Sequence, residues 1–256
     1  MKKALFFFIM FLMIQVVASV ALTVIGKAMG LADNSLSIII ATSSVASLII
    51  IVLFAWLKWT PVNRTYIRMR PWAVLCWAAI AAWGVILPSM GLQDIMPEMP
   101  NLAETELEGL LKSRWGYFAL GLAAPVAEEF VFRGAILRTL LSTFNGRHWT
   151  AIAASAVLFA IAHMNPAQMP HAFLMGLLLG WMYYRTGSII PGIVVHWVNN
   201  STAYVLSNLM PNAEHLSDIF GSNPLRLTFA MICSLCILLP ALFQLHQNMK
   251  RAKQDS

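Results

Sequence analysis

Eight long stretches of this chain are almost free of charge, and that one feature decides what it can fold into. They run roughly over Ala4–Ile25, Leu36–Leu57, Trp72–Leu92, Trp115–Leu137, Trp149–Met164, Met169–Tyr184, Ile189–Leu209 and Leu227–Leu245, the fifth and sixth being short. A helix needs about 20 mostly apolar residues to cross a bilayer. The 17 basic and 11 acidic residues make up 11% of 256 positions, against about a quarter in a soluble domain. So few charges cannot cover a soluble surface, which excludes a soluble enzyme. A hydrophobic fraction of 59% excludes disorder, and three cysteines exclude a disulfide scaffold. The expected fold is an all-α polytopic membrane protein of about eight transmembrane helices. It forms a single membrane domain over 1–256 and sits as a multi-pass protein in a cell membrane, a bacterial inner membrane by its character.

The remaining charges set an expected orientation. With the N-terminus cytoplasmic, inner segments carry Lys2, Lys3, Lys58, Arg64, Arg68, Arg70, Arg133, Arg138, Arg147, Arg185, Lys250, Arg251 and Lys253. Outer segments carry only Lys27, Lys112, Arg114 and Arg226. Basic residues favour the cytoplasmic side, and an even number of spans returns the C-terminus there. The net charge of +6 therefore reads as loop bias, with no nucleic-acid partner expected. Asp94, Glu98, Glu104, Glu106 and Glu108 fall in one outer loop and read as a solvated face with a short surface helix. Lys2, Lys3 and Ser19-Val20-Ala21 imitate a signal peptide, but the apolar run Ala4–Ile25 is over 20 residues, longer than the usual 7–15. An uncleaved first span is the expectation.

Ionisable residues inside apolar spans are costly and mark function by default. The fourth span carries Glu128, Glu129 and Arg133; the fifth ends near His163; the sixth begins with His171; the seventh carries His196 and Asn200. Glu129 and Arg133 are four apart and share a helix face, as do His196 and Asn200. Asn145-Gly146 lies seventeen residues from both Glu128 and His163, so a helical hairpin there brings the two to similar depth. Pro125 is placed to kink the fourth span and open space for water.

This set suits hydrolysis. A carboxylate held away from water can act as general base, and an imidazole can share its proton or pass it to a leaving amine. A second imidazole with an amide can donate to a developing oxyanion. Cys76, Cys233 and Cys236 read as apolar core positions, and Cys233-x-x-Cys236 lacks zinc partners. His171 reads as a helix-bridging hydrogen bonder, and Phe173, Gly176 and Gly180 as close helix packing.

In order along the chain, Glu128-Glu129-x-x-x-Arg133, Phe159-x-x-x-His163, Phe173-x-x-Gly176-x-x-x-Gly180 and His196-x-x-x-Asn200 resemble the motifs of the CAAX protease and bacteriocin-processing family. That family includes the type II CAAX prenyl endopeptidases. The resemblance covers roughly 115–205, spans four to seven, and implies that this stretch is the catalytic core of an eight-helix intramembrane endopeptidase acting on a peptide or membrane protein. It implies Glu128 as the base activating water with His163 as partner, His196 and Asn200 as the oxyanion hole, and Glu129 with Arg133 in support. Family members have been described both as metalloproteases and as metal-free glutamate proteases. The chain lacks H-E-x-x-H, so no metal or other cofactor is expected. The alternative is a divalent metal held by Glu128, His163 and His196. The alternative function is a non-enzymatic bacteriocin-immunity or membrane regulatory protein that binds a partner membrane protein.

Overall fold

The computed structural model describes residues 1–32, 35–63, 72–211, 213 and 215–249. Arg64, Arg68, Arg70, Lys250, Arg251 and Lys253, used in the orientation argument, lie outside them. Each of the eight apolar runs is a helix or the main part of one. They are α1 (Lys2–Ala28), α2 (Leu36–Trp56), α3 (Ala73–Ile95), α5 (114–143), α6 (His148–Ala162), α7 (Met169–Thr186), α8 (Ile190–Leu209) and α10 (Pro224–Asn248). Two short helices lie between them, α4 (Glu104–Lys112) and α9 (Leu216–Phe220). α4 is the surface helix expected in the acidic loop. The described residues contain no strand, so the fold is all-α. By length and composition, α1, α2, α3 and α10 are each long and apolar enough to cross a membrane.

The helix ends follow from ordinary stop and start chemistry. Pro170, Pro191 and Pro224 stand at the first turns of α7, α8 and α10, where the missing N–H costs nothing. Asn223 caps α10 through its side chain, which accepts from the Leu225 N–H at 2.9 Å. The α5–α6 turn closes at Gly146 with φ +83°, and α7 stops at Gly187 with φ +68°. Both conformations favour a residue without Cβ.

The core is centred on α5, which α1, α2, α6 and α8 surround. Every residue from Phe130 to Leu137 is buried. Phe8, Phe11 and Phe159 pack edge-on around Phe132. This stretch and Phe118–Ala123 are wound as π-helix, so α5 consists of three α segments joined by two wider turns. Irregular winding leaves carbonyls without ordinary partners, and side chains from other elements take them. Thr60 donates to Phe130 O at 2.6 Å, and Ser155 to Phe132 O at 3.3 Å.

The α3–α10 pair closes the other side. Its helices touch so closely at Gly84 that an added Cβ would lie 2.7 Å from the Leu238 nitrogen. Pro88 deprives the Gly84 carbonyl of its helical donor, and Ser234 of α10 supplies one at 3.0 Å. α6 and α7 pack in the same way: a Cβ at Gly176 would meet Ala156 Cα at 2.8 Å, and one at Gly180 would meet Ile152 Cγ2 at 2.9 Å. The small-residue reading of this stretch is therefore met by direct helix contact.

Large apolar side chains cover the outside, among them Val16, Val20 and Val24 of α1 and Phe229, Leu239 and Phe243 of α10. Such an outer face suits lipid. The three cysteines belong to it: Cys76, Cys233 and Cys236 are exposed thiols, not core residues. In a helix that is apolar all round, hydropathy does not separate the protein-facing side from the outer one. Arg133 also needs correcting. It was counted as an inner charge, yet it is buried within α5 and contributes nothing to a loop bias.

Candidate active site

The site is built where α5, α6, α7 and α8 meet. Successive residues Glu128 and Glu129 point differently because they are about 100° apart on the helix. Glu129 is fully buried and is held by Arg133, whose Nη1 donates to Glu129 Oε1 at 2.6 Å. Arg133 Nη2 donates to Gly176 O at 3.3 Å, and the guanidinium lies over the Phe159 ring, 4.6 Å from its centre. One arginine thus ties α5 to both α6 and α7. Planarity and several donors suit it to this role better than lysine.

Glu128 differs in kind. It is partly exposed, and its Oε2 is buried without a hydrogen-bond partner. His196 of α8 lies between the two carboxylates, Nε2 at 3.6 Å from Glu128 Oε2 and Nδ1 at 3.7 Å from Glu129 Oε1. The imidazole at ion-pair distance from Glu128 is therefore that of His196. His163, at the C-terminal end of α6, directs its Nδ1 to Phe159 O at 2.9 Å. A carbonyl only accepts, so Nδ1 carries the proton of neutral His163 and Nε2 keeps its lone pair. Both imidazoles stand edge-on to the Phe159 ring, at 5.0 Å for His163 and 5.8 Å for His196. Phe159 is thus the apolar wall shared by Arg133, His163 and His196.

Asn200 is placed through Pro125. Proline has no N–H, so in the π-wound turn the carbonyl five residues back, that of Leu120, has no helical donor. Asn200 Nδ2 donates to it at 2.9 Å. The Asn200 oxygen accepts from Asn199 Nδ2 at 3.2 Å. Both ends of the amide are fixed, and one N–H remains free.

α6 has fifteen residues and so spans about 22 Å, short of the ~30 Å hydrocarbon thickness. The loop after His163 must satisfy its polar groups within the protein, and Asn165 does so. Its Nδ2 donates to Asn101 Oδ1 at 2.8 Å, and its Oδ1 accepts from Leu102 N at 3.1 Å.

Four residues of this region were not singled out as site residues by sequence reasoning. His171 lies within electrostatic reach of His163 and His196, against Asn199, and bonds Ser89 of α3. Gly192 was the fourth. A Cβ there would stand 2.3 Å from Glu129 Oε2, and Arg133 prevents the carboxylate from moving aside. Gly192→Ala should cost about 1–3 kcal/mol, as overpacking of a close-packed interior does. A thermal melt of purified protein checks this, and an unchanged midpoint would refute the contact. Gly192 follows a helix-starting proline, which was the sole local hint of its importance.

Among the described residues, no group of three His, Cys, Asp or Glu side chains is arranged to hold a metal ion. Glu128 and His196 face each other, while His163 Nδ1 is spent on a backbone carbonyl. His163 Nε2 keeps its lone pair, but the three residues of the metal alternative are not gathered around one point among the described residues.

The all-α fold thus gathers Glu128, Glu129, Arg133 and His196 at one place, with His163 and His196 both against the Phe159 ring. Residues 111–202 match the family model described as type II CAAX prenyl endopeptidase Rce1-like. The membrane-embedded CAAX protease MroQ of Staphylococcus aureus strain USA300 is 26% identical over 149 residues, 56% of this chain and 60% of that protein. The matched region is thus less than two thirds of the relative's length. No solved structure matches the chain. Both matches, each over part of the chain, are to CAAX proteases.

Proposed function

We propose that the chain is an intramembrane endopeptidase in which Glu128 activates a water for attack on a peptide bond. The observation that carries this is the contrast between the two glutamates. Both keep a buried Oε2 without a hydrogen-bond partner, but Glu129 is fully buried and neutralised by Arg133, whereas Glu128 is partly exposed and stands beside His196. Glu128 takes the proton of the water. His163, with its Nε2 lone pair free, holds the second hydrogen and shuttles the proton to the leaving amine. His196 and the free N–H of Asn200 donate to the oxyanion. Glu129 and Arg133 keep His196 and α7 in register. The reaction needs no cofactor in this scheme.

The substrate is a peptide or membrane protein reached from within the bilayer. The CAAX prenyl endopeptidase description of the family makes a prenylated C-terminal peptide the first probe. The loop charges support N- and C-termini on the cytoplasmic side of a cell membrane, with eight passes.

The test compares membrane-peptide profiles from cells carrying the wild type or Glu128→Ala, with and without chelator. Products lost with the variant and kept with chelator are the expected result. Identical profiles with wild type and variant would overturn the proposal and favour a non-enzymatic partner-binding protein.

A further inference from the structure

Trp59 stands at the end of the bundle where α1 begins and α2 ends. Its ring packs against Phe6, Phe7 and Phe54, with centroids 5.4, 5.3 and 5.0 Å away. Three cations gather around this one residue. Lys3 holds its Nζ over the Phe7 ring, 5.8 Å from the centre. Arg138 of α5 donates through Nη2 to Trp59 O at 2.9 Å and through Nε to Gly134 O at 3.0 Å. Lys58 immediately precedes Trp59. It is exposed and has φ +56°, a left-handed conformation that is costly for a residue with a Cβ and readily adopted by glycine.

Among the described residues, none of these cations has a carboxylate to answer it. The described acids lie elsewhere: from Asp94 to Glu108 at the far end of α3 and in α4, at Glu128 and Glu129 in mid-α5, and at Asp218 in α9. The carboxylate ion pairs among the described residues form there. Two backbone carbonyls fix the Arg138 guanidinium, yet the residue stays exposed. Trp56, 76% exposed at the end of α2, marks the level of a membrane–water interface, where tryptophan collects. An apolar groove of about 460 Å³ runs between α1 and α2 on the same flank. Met10, Val17 and Leu22 of α1 line it with Val45 and Ile49 of α2. Lys3, Met10 and Val17 repeat every seven residues and share one face of α1. The groove therefore begins about 10 Å from Lys3, at 1.5 Å per residue, and follows α1 for about 18 Å.

We propose that this flank binds one anionic phospholipid, its phosphate at Arg138, Lys58 and Lys3 and an acyl chain in the α1–α2 groove. The inference stands apart from the peptidase reading. A guanidinium donates to phosphate oxygens in a fixed plane, and an ammonium adds a point charge. Basic pockets between membrane helices suit lipid headgroups, and an apolar groove leading away from one suits the chain. A general bias of loop charge needs neither a pinned arginine nor a lysine in a left-handed backbone, since scattered basic residues serve it equally. Charge and groove together select a lipid over a free anion, which has no use for the groove.

The experiment uses the full chain purified in detergent micelles and counts bound lipid by native mass spectrometry. The probes are phosphatidylglycerol, phosphatidylcholine with the same acyl chains, and inorganic phosphate. Wild type is compared with Lys58→Gly, Arg138→Gln, Val17→Trp and Arg226→Gln, the last removing a cation at the other end of the bundle. Wild type should bind phosphatidylglycerol at least about fivefold more tightly than phosphatidylcholine. Lys58→Gly should weaken phosphatidylglycerol binding about fivefold, the scale of one basic side chain at an anionic surface, and Arg138→Gln by at least as much. Glycine suits the backbone at 58, so that variant keeps its fold and decides the matter alone if Arg138→Gln unfolds. Val17→Trp fills the groove and should weaken both lipids, while Arg226→Gln should match wild type. Equal binding of the two lipids, Lys58→Gly binding like wild type, or an equal loss in Arg226→Gln would overturn the site. Displacement of phosphatidylglycerol by equimolar inorganic phosphate, or Val17→Trp binding like wild type, would overturn the lipid as its occupant.

Discussion

Glu128→Gln should abolish peptide cleavage while leaving the protein folded. A general base contributes about 10²–10⁴ in rate, so turnover should fall by that factor or below detection. The fold should not register the change. Glu128 forms no hydrogen bond through its buried Oε2, and its contact with His196 is 3.6 Å, beyond hydrogen-bond length. Glutamine has the same shape and removes only the charge and the basicity. The melting midpoint should therefore stay within about 2–4 °C, the shift that 1 kcal/mol produces in a chain of this size. Kinetics and melts on one preparation check both halves together.

Arg133→Ala should have the opposite profile, with the structure failing before the chemistry can be assayed. Removing one partner of a buried pair typically costs about 3–5 kcal/mol, because the other charge is left unpaired in a low dielectric. At about 2–4 °C per kcal/mol, the melting midpoint should drop by about 6–20 °C. The loss is compounded because the guanidinium also donates to Gly176 O and covers the Phe159 ring. Adding Glu129→Gln should recover part of it by removing the stranded carboxylate, so the two changes should not add. Equal midpoints for wild type and Arg133→Ala would refute the structural role. A double variant worse than Arg133→Ala would refute the coupling.

The contrast between these residues explains what could be read from the chain. The helices were legible because each apolar run is closed by proline, glycine or charge, and the described helices follow the runs to within a few residues. The candidate site residues stood out because a charge or imidazole in such a run has no ordinary reason to be there. Their pairing was less so. Sequence spacing aligned Glu128 with His163, but the carboxylate meets His196, because α8 packs against the segment of α5 that carries the glutamates. The role of Asn200 in taking the Leu120 carbonyl depends on π winding that no local pattern announced. Ser89 and Gly192 act through contacts between helices, where hydropathy is silent. The cysteines were misplaced for the same reason: a uniformly apolar helix does not say which side faces lipid.

The most direct test of the central claim is the fate of oxygen in H₂¹⁸O. Purified wild-type protein in nanodiscs is given the quenched farnesylated peptide and a non-prenylated copy, and both products and enzyme are weighed by mass spectrometry. If Glu128 acts as a base on water, one ¹⁸O appears in the new peptide carboxylate, none enters Glu128, and Glu128→Gln forms no product. Label in the Glu128 carboxylate, product from the Gln variant at the wild-type rate, or no cleavage of either peptide by wild type would contradict the account.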